Sequence, residues 1–489
     1  MEYEAVIGLE VHAQLLTNSK MFCACDANYQ GQEPNTHTCP ICLGMPGVLP
    51  VINAKAVEQT IMVGLALHCQ IAEVTKWDRK NYHYPDLPKG YQISQYDLPL
   101  ARNGFLEVSV DGAKRQVGIR RVHLEEDTGR LYHEGNSALV DFNRSGVPLM
   151  EIVSEPDIRT PEEARQYLQK LRTILRYLGV SSGDMEAGAF RVDANVSVRP
   201  RGQKEFGAQV EVKNMNSFRS VKLALEYEMQ RQSILLTRGE KVVRETRGWV
   251  ETEGRTVSQR SKEEAHDYRY FPEPDLPPLE VRPEWVEGIR ARLPELPDAK
   301  AERFQGEYGL SAGDAETLVA DKVVAAWFER AVMLAQQAEP PVSPKTVANW
   351  VTGELFRRVR SDAEVETIAD LPVTPEALVG LLVLVERGTI NNNVAKQVLD
   401  EMSTTGKPAA EIVLGKGLAQ ISDEDQLAAV VGEVLDSYPD EVQSYLNGKE
   451  TVAQWLIGQV MRATRGKANP QVVRSQLTEQ LKARREKQR

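Results

Sequence analysis

The sequence predicts an α+β protein with a sheet-based N-terminal region, then a helical domain and a helical C-terminal tail. Over roughly the first 270 residues, short apolar–polar alternations are separated by glycines and turn signals, which is typical of strands. Seven prolines between positions 272 and 297 mark a boundary, and the apolar spacing from position 298 onward is helical. A chain of 489 residues is too long for one ordinary core, so we expect three domains, at residues 1–293, 294–406 and 407–489.

Two helices are predicted within the sheet-based region. Residues 161–178 carry apolar side chains at helical spacing, and Thr160 and Pro161 form a favourable cap and first turn. A second helix is predicted over residues 220–236. The Gly, Lys and Pro at positions 406–408 mark the boundary before the tail.

The composition excludes several classes of protein. With 42% apolar and 26% charged residues, the chain has the make-up of a soluble globular protein. No window approaches 18 uncharged apolar residues, so a membrane span is not expected, and the N-terminus lacks the pattern of a secretory signal. Five cysteines do not make a disulfide scaffold, which favours a cytoplasmic, reducing location.

The charge is distributed unevenly along the chain. The net charge is −11, but residues 462–489 contain nine Lys or Arg and only two acids, a net +7. A basic tail on an acidic protein indicates binding of nucleic acid through phosphates. The alternative is a solvated and frayed helix end, which the composition alone leaves open.

Four of the five cysteines form two close pairs. Cys23 and Cys25 are separated by 13 residues from Cys39 and Cys42. This spacing suits a tetrahedral four-thiolate site, with zinc as the best candidate and iron as the second. Such a site has no open position, so its role would be structural. A disulfide or free thiols are the alternatives, and the reducing compartment disfavours the disulfide.

Several predicted strands carry acids on one face. Glu10 and His12 share a face, because alternate residues of a strand point to the same side. Clustered carboxylates repel one another unless a cation compensates them, so Glu10, His12, Glu125 and Glu151 predict a Mg²⁺ pocket. The alternative for each strand is an ordinary half-solvated sheet. The strands that show the pattern lie at residues 7–12, 122–127, 149–153, 191–199 and 210–213.

No phosphate-binding motif of a known glycine-rich type is present. The sequence contains neither G-x-x-x-x-G-K-[ST] nor a strand-linked G-x-G-x-x-G, so any use of ATP does not rely on a P-loop. The best phosphate-binding candidate is the segment 76–95, which combines four cations with three tyrosines and several amides. A charged surface loop is the alternative. The candidate residues in this segment are Lys76, Asp78, Lys80, Tyr82, Lys89, Gln92 and Ser94.

These segments closely resemble the B subunit of the tRNA-dependent amidotransferases. The resemblance spans nearly the whole chain and includes both cysteine pairs. The sequence stretches that carry it are G-L-E-V-H from position 8, Y-P-D-L-P-K-G-Y-Q from 84, H-L-E-E-D from 123, G-V-P-L-M-E-I-V-S-E-P-D from 146, R-V-D-A-N-V-S from 191, Y-R-Y-F-P-E-P-D-L-P-P from 268 and G-K-A-N-P from 466.

The resemblance implies a catalytic cradle with a sheet like that of glutamine synthetase, and a tail that touches tRNA. It implies an ATP-dependent carbon–nitrogen ligase that converts Glu-tRNA(Gln) to Gln-tRNA(Gln) and Asp-tRNA(Asn) to Asn-tRNA(Asn). ATP would phosphorylate the side-chain carboxylate, and ammonia would then displace phosphate. Glutamine hydrolysed by an amidase A subunit would supply the ammonia, and a small C subunit would complete the heterotrimer. Consistent with this division of work, the chain shows no G-x-S-x-G and no amidase nucleophile region.

The resemblance also implies roles for particular residues. It places His12, Glu125 and Glu151 at the Mg²⁺ and phosphorylation site, and the four cysteines at a zinc knuckle. Glu10 and Asp193 are the next candidates, for a second cation or for the aminoacyl end of the tRNA. Further candidates for contacts to ATP and phosphate are Asn195, Ser197, Arg199, Glu211 and Lys213. The candidates for tRNA contacts are Arg465, Lys467, Arg474 and Lys482.

Two other functions compete with this hypothesis. The chain could be a non-catalytic scaffold that presents tRNA and uses its acids only for a structural cation. It could also be a stand-alone zinc hydrolase, but a zinc ion held by four thiolates has no open position for water. The sequence does not decide which of the two aminoacyl-tRNAs is the substrate.

Overall fold

The computed structural model describes residues 2–110, 112–261, 268–362, 365, 367–419, 424–464 and 466–487. Contacts divide the chain into two compact units, Met1–Pro297 and Asp298–Arg489. Within the described ranges, every strand lies in the first unit and the second is helical. The predicted α+β architecture, a sheet region followed by helices, is confirmed.

The strands of the first unit follow from the alternations seen in the sequence. Period-2 alternation exposes one face of a strand and buries the other, as in Phe190–Pro200, where Val192, Ala194 and Val196 are buried. The strands are β1 Tyr3–Gln14, β2 Gln70–Ile71, β3 Val74–Thr75, β4 Asp78–Asn81, β5 Tyr91–Ser94, β6 Ala101–Val110, β7 Ala113–Glu126, β8 Arg130–Glu134, β9 Ser137–Asp141, β10 Pro148–Ser154, β11 Phe190–Pro200, β12 Val210–Lys213, β13 Glu245–Val250, β14 Arg255–Ser261, β15 Phe271–Pro272 and β16 Leu279–Glu280.

A 12-stranded mixed sheet organises this unit. Its strand order is β14-β13-β12-β11-β1-β10-β7-β5-β4-β15, with β6 and β2 attached through β7. The pairs are antiparallel except β12 with β13. The N-terminal strand β1 therefore lies between β10 and β11, which are far from it in sequence. This position makes the sheet depend on long-range pairing.

Helices cover one face of the sheet. The helices of the first unit are α1 Ala54–Ala66, α2 Pro161–Leu178, α3 Phe218–Thr237 and α4 Pro283–Arg290. Helix α2 packs on β6, α3 on β11 and α1 on β7, and the apolar side chains between them form one core. Burial of these apolar side chains is the main stabilising term of the unit. The opposite face of the central strands is left for polar side chains.

The two helices predicted in this region are confirmed. Helix α2 has the predicted bounds, and Thr160 forms a capping box in which its side chain accepts from the N–H of Glu163 and the Glu163 side chain accepts from the N–H of Thr160. A left-handed Gly179 ends the helix. The second predicted helix is α3, which begins two residues earlier because Ser217 caps it.

The second unit is a set of helices. They are α5 Pro297–Tyr308, α6 Ala312–Val319, α7 Lys322–Gln337, α8 Pro344–Asn349, a π-helix Trp350–Leu355, α9 Phe356–Ser361, a 3-10 helix Ile368–Asp370, α10 Pro375–Glu386, α11 Asn392–Thr405, α12 Ala409–Gly415, α13 Glu424–Ser437, α14 Pro439–Leu446, α15 Val452–Ala463 and α16 Pro470–Lys487. Their buried apolar side chains form two clusters, at positions 301–413 and 427–481. The expected domain boundaries at residues 293 and 406 stay predictions.

None of the described helices is both long enough and apolar enough to cross a membrane.

Candidate functional site

The register of the sheet brings the predicted acidic residues together. His12 on β1 lies opposite Glu151 on β10, and Glu151 lies opposite His123 on β7. On the other side of β1, Glu10 lies opposite Asp193 of β11. Directly opposite residues of an antiparallel pair project from the same face, so five chemically active side chains share the uncovered face of the sheet.

Two of these side chains, His12 and Glu151, form a candidate metal site with Glu125 of β7. Single ligand atoms of His12, Glu125 and Glu151 all lie within 4.8 Å of one another. His12 Nε2 is 3.7 Å from Glu125 Oε1. Two carboxylates and one imidazole leave several positions for water or phosphate oxygens, which is how Mg²⁺ is usually bound beside a phosphate substrate. The donor set therefore fits Mg²⁺.

A second histidine supports this site from behind. His123 is 2% exposed, and its Nε2 lies 2.9 Å from Glu151 Oε2. Its Nδ1 is buried without a hydrogen-bond partner among the described residues. His123 therefore contacts a candidate ligand and fixes its orientation, as outer-shell residues of metal sites do.

The charges around the cluster keep Glu151 ionised. Burial alone would raise the pKa of Glu151, but the charge and hydrogen bond of His123, with the charges of His12 and Lys80, hold that pKa well below its ordinary value. Burial, reinforced by the charge of Glu151, raises the pKa of Glu10. Burial lowers the pKa of Lys80, but Glu125 and Glu151 outweigh it and raise that pKa. An ammonium group thus faces two carboxylates.

A cavity of about 600 Å³ opens over this face. Its volume lies in the range of pockets that hold nucleotide-sized ligands. The structure brings most of the predicted site residues to its wall. They are Glu10, His12, Lys80, Tyr82, Gln92, Ser94, Glu125, Glu151, Asp193, Glu211 and Lys213.

Three residues of the predicted phosphate segment do not line this cavity. Lys76 pairs with Asp78 at 2.5 Å and with Asp97 at 2.7 Å. The other carboxylate oxygen of Asp78 accepts a hydrogen bond from the N–H of Tyr96. Lys89 pairs with Glu126 and lines a separate cavity of about 200 Å³ beside the cysteines. Their proposed contacts to phosphate stay predictions, and these charges already have partners.

Three polar residues of β11 lie further along the sheet. Asn195 and Ser197 line a neighbouring cavity of about 320 Å³, which Glu10 also reaches. The side-chain amide of Asn195 donates to Glu10 Oε1 at 2.9 Å. Arg199 pairs with Glu4 at 2.7 Å and lies outside both cavities.

The sequence interpretation missed part of the cavity wall. The tyrosines at positions 96, 268 and 270 line it, together with Arg121, His123, Asp127, Arg191 and Arg244. Tyr268 and Tyr270 reach the cavity because β15 pairs with β4, about 190 residues earlier in the chain. Their alternation around Arg269 was a usable signal. Arg121 gave no such signal, because its position depends on the register of β7.

The four predicted cysteines also meet. The Sγ atoms of Cys23, Cys25, Cys39 and Cys42 all lie within 4.8 Å of one another, and no disulfide joins the five cysteines. A zinc ion bound to four sulfurs at 2.3 Å would hold them about 3.8 Å apart. The set therefore fits a closed four-thiolate site.

A buried lysine accompanies the cysteines. Lys20 is only 1% exposed, and its Nζ donates to the carbonyl oxygens of His37, at 2.7 Å, and Phe142, at 3.5 Å, and lies 3.7 Å from Cys42 Sγ. A hydrogen bond from Cys23, aided by the charge of Lys20, lowers the pKa of Cys42 to about 4. The pattern of cysteines gave no indication of this residue.

The predicted tRNA contacts fall in the second unit. Arg474 and Lys482 are exposed on α16, whose Val473, Leu477 and Leu481 are buried. The ammonium of Lys467 donates to the carbonyl of Gly417 at 2.6 Å. Arg465 lies outside the described residues.

The chain is similar to known proteins over nearly its full length. A model of the GatB/GatE catalytic domain matches residues 5–287, and a model of the GatB domain matches residues 327–481. The B subunit of the aspartyl/glutamyl-tRNA(Asn/Gln) amidotransferase from Carboxydothermus hydrogenoformans is 54% identical over 98% of this chain and 99% of that protein. The protein of the same name from Thermodesulfovibrio yellowstonii is 55% identical over 99% of this chain and all of that protein. The chain therefore belongs to the family of aspartyl/glutamyl-tRNA(Asn/Gln) amidotransferase B subunits.

Proposed function

We propose that this chain is the kinase and transamidase subunit of a tRNA-dependent amidotransferase. It phosphorylates the side-chain carboxylate of Glu-tRNA(Gln) or Asp-tRNA(Asn) with ATP and then amidates it. Family membership supports the reaction class. The observation that carries the site assignment is the cluster of His12, Glu125 and Glu151 in the wall of a 600 Å³ cavity.

The reaction needs activation because a free carboxylate has no good leaving group. In the first step, a carboxylate oxygen bonds to the γ-phosphorus of ATP, and the bond from that phosphorus to ADP breaks. In the second step, ammonia bonds to the carbonyl carbon, phosphate leaves, and the nitrogen gives up one proton. Glu10 and Asp193 face the same cavity and are available to accept that proton.

The cavity wall provides two kinds of group that can compensate the negative charge of the phosphates in the first step. His12, Glu125 and Glu151 would hold Mg²⁺, which when bound neutralises charge on the phosphate oxygens. Lys80 and Arg121 line the same cavity and can donate to the transferring phosphoryl group. A well-placed donor of this kind is worth about 3 kcal/mol in the transition state.

The remaining parts of the enzyme are proposed on the same basis. The relatives are named as one subunit of an amidotransferase, which supports a multi-subunit enzyme. An amidase A subunit supplies ammonia from glutamine, and a small C subunit completes a cytoplasmic heterotrimer. The four cysteines hold a structural zinc ion.

The basic tail is proposed to bind the tRNA backbone. Exposed Arg474 and Lys482 on α16 suit phosphate contacts, and Lys467 and Arg465 belong to the same basic stretch. Arg474→Ala should weaken tRNA binding and lower the slope of log K against log salt by about one. An unchanged salt slope would remove Arg474 from the interface.

An ammonium-dependent assay tests the catalytic proposal. The chain is co-expressed with its partner subunits and given Mg²⁺-ATP, misacylated tRNA and ammonium chloride, which bypasses the amidase. Glu125→Gln should lower kcat by at least about 10³-fold while tRNA affinity stays within about twofold. Glu284→Gln, at an exposed carboxylate on α4, is the matched control and should behave as the wild type. If Glu125→Gln is as active as the wild type, the site assignment is wrong and the scaffold hypothesis gains.

A further inference from the structure

Two tyrosines form an open stack at the edge of the cavity. The rings of Tyr96 and Tyr270 are nearly parallel, with centroids 4.1 Å apart and an angle of 8° between the planes. Both residues line the 600 Å³ cavity. A stacked pair that serves only to fill a core is buried, whereas Tyr96 is 53% exposed. The stack therefore presents an aromatic face to a ligand.

The backbone on both sides of the stack is held firmly. Tyr270 precedes β15, and the Asn81 side chain donates to the carbonyl of Arg269 at 2.8 Å. The N–H of Tyr96 donates to Asp78, which is itself 1% exposed. Arg269 has a φ of 44°, a left-handed conformation that L-residues adopt at a cost when surrounding contacts enforce it. The two rings are thus positioned before any ligand arrives.

The stack continues toward the carboxylates through other groups of the same wall. The Tyr270 ring meets the Tyr268 ring edge to face, with centroids 6.1 Å apart. The Lys80 ammonium lies 5.0 Å from the centroid of Tyr268. The cavity wall therefore includes aromatic rings, an ammonium group and the carboxylate–imidazole cluster. The parts of ATP match these groups in order. The flat base suits the aromatic rings, the charged phosphates suit the ammonium group, and the reacting γ-phosphorus would lie near the carboxylate–imidazole cluster.

We propose that Tyr96 and Tyr270 form an adenine-binding subsite in which the base stacks on the exposed ring of Tyr96. The inference rests on the proposed function, because both substrates named there carry an adenine, ATP in its base and tRNA in its 3′-terminal adenosine. Base–aromatic stacking holds any base with a flat face and needs no hydrogen-bond code. Adenine is common to ATP and to the 3′ end of tRNA, and kinetic measurements distinguish which of the two binds here.

The test uses the co-expressed complex with ammonium chloride as the nitrogen donor. Tyr96→Ala is compared with Tyr96→Phe and with Tyr132→Ala, an exposed tyrosine on β8 that does not line the cavity. Michaelis constants are measured for ATP and, separately, for the misacylated tRNA. Binding of ADP is measured by calorimetry as a readout that does not depend on turnover.

If the base of ATP occupies the subsite, Tyr96→Ala should raise the KM for ATP and the Kd for ADP by about 5- to 150-fold, with kcat changed much less. Tyr96→Phe keeps the ring and should restore most of that loss. If the terminal adenosine occupies it, the KM for tRNA rises instead and the Kd for ADP does not move. Both results support an adenine subsite, whereas unchanged values for both substrates would overturn it.

Failure of the subsite can be told apart from failure of the proposed function. Glu125→Gln tests phosphoryl transfer at the cluster of His12, Glu125 and Glu151, and an active Glu125→Gln enzyme overturns the site assignment of the proposed function whatever Tyr96 does. In an inactive Glu125→Gln complex, ADP affinity remains measurable. Loss of ADP affinity on adding Tyr96→Ala to that complex supports stacking of the ATP base there. A Tyr132→Ala enzyme that loses as much affinity as Tyr96→Ala would also overturn the subsite, because the effect would then be non-specific.

Discussion

Among the described residues of the first unit, two clusters of metal-ligating side chains differ in what surrounds them. The four cysteines have their sulfurs within 4.8 Å of one another, and the buried Lys20 ammonium lies against Cys42. The ligand atoms of His12, Glu125 and Glu151 also lie within 4.8 Å of one another, but these residues line a cavity of about 600 Å³. Four thiolates fill the coordination of zinc, whereas three oxygen and nitrogen ligands leave positions open. Similar clustering thus serves structure in one place and chemistry in the other.

The difference extends to the residues that compensate charge. Backbone carbonyls fix the buried ammonium group of Lys20 beside the cysteines, so the position of this charge is set when the unit folds. The acidic cluster faces Lys80, and near it Lys213 pairs with Asp193 and Glu211. These cations line a cavity that a ligand can enter. A catalytic site needs charged groups that can change partners when a substrate binds, whereas a structural metal site does not.

Removing one ligand from each cluster gives the largest expected contrast. Cys42→Ser should lose zinc and lower the unfolding free energy of the complex by about 5 kcal/mol, because the metal-bound state exists only when folded. Glu125→Gln removes one of several mutually repelling carboxylates and should change that free energy by less than about 1 kcal/mol. Urea unfolding with zinc analysis by mass spectrometry measures both. Equal losses from the two substitutions would show that both sites are structural.

Replacing His123, which lies behind the acidic cluster of His12, Glu125 and Glu151, should have the next largest effect. His123→Leu removes the contact to Glu151 Oε2 and should weaken binding of Mn²⁺, used as a spectroscopic probe for Mg²⁺, by about 10- to 100-fold. His123→Gln can still donate to the carboxylate and should recover part of the loss. Paramagnetic resonance titration measures the free ion. If both variants bind Mn²⁺ like the wild type, His123 does not support the cation site.

Replacing Lys20, which lies beside the cysteine cluster, should have a smaller effect. Lys20→Met removes the buried ammonium near Cys42 and should speed zinc transfer to a colorimetric chelator by about 10-fold, because the thiolate charge loses its compensation. Lys20→Arg keeps the charge and should show a smaller effect. Mn²⁺ affinity at the acidic cluster serves as the control and should not change. Unaltered zinc transfer from Lys20→Met would mean that the carbonyl contacts alone explain why Lys20 is buried.

Local sequence patterns predict where helices and strands lie along the chain, but not which strands pair with one another in the sheet. Helix α2 could be predicted to the residue because its cap, proline and acids are contiguous. The polar faces of β1 and β11 could be predicted because alternation is local. That Glu10 lies opposite Asp193 could not be predicted, because strand order depends on long-range packing that no short segment encodes.

Charged residues were the hardest to assign. Lys76 and Lys89 are predicted to contact phosphate, and these contacts stay predictions, since the structure pairs each lysine with a nearby carboxylate. Lys20 resembles an ordinary surface lysine in the sequence and is among the most buried side chains of the chain. A lysine is rarely buried unless paired, so its sequence context predicts exposure. Only the three-dimensional arrangement of carbonyls and sulfur explains its position.

A carboxylate without any metal partner provides the reference for both clusters and the smallest expected effect. Glu162 lies in the first turn of α2 and pairs with Arg165 and, at 3.0 Å, with Lys222 of α3. The hydrogen bond from Arg165, reinforced by Lys222, lowers the pKa of Glu162 from 4.5 to about 2. A carboxyl group with a depressed pKa stabilises the folded state above its unfolded pKa, and this stabilisation is lost as pH falls from about 4.5 toward 2.

Since Glu162 is partly exposed, water screens the pair and Glu162→Gln should cost only about 0.5–1 kcal/mol at pH 7. Urea unfolding at pH 7, 5, 4 and 3 should show this difference shrinking below about pH 4.5, with no change on adding a chelator. A difference that depends on the chelator would contradict the comparison, because the described partners of Glu162 are the cations of Arg165 and Lys222 and the amide of Gln166, and none of them is a metal ion. Insensitivity of this difference to the chelator would show that the Glu162 ion pair contributes its stability without a metal ion. Negative charge would then be compensated in three different ways. The acidic cluster would use an exchangeable metal ion, the cysteines a permanently bound metal ion, and Glu162 neighbouring side chains.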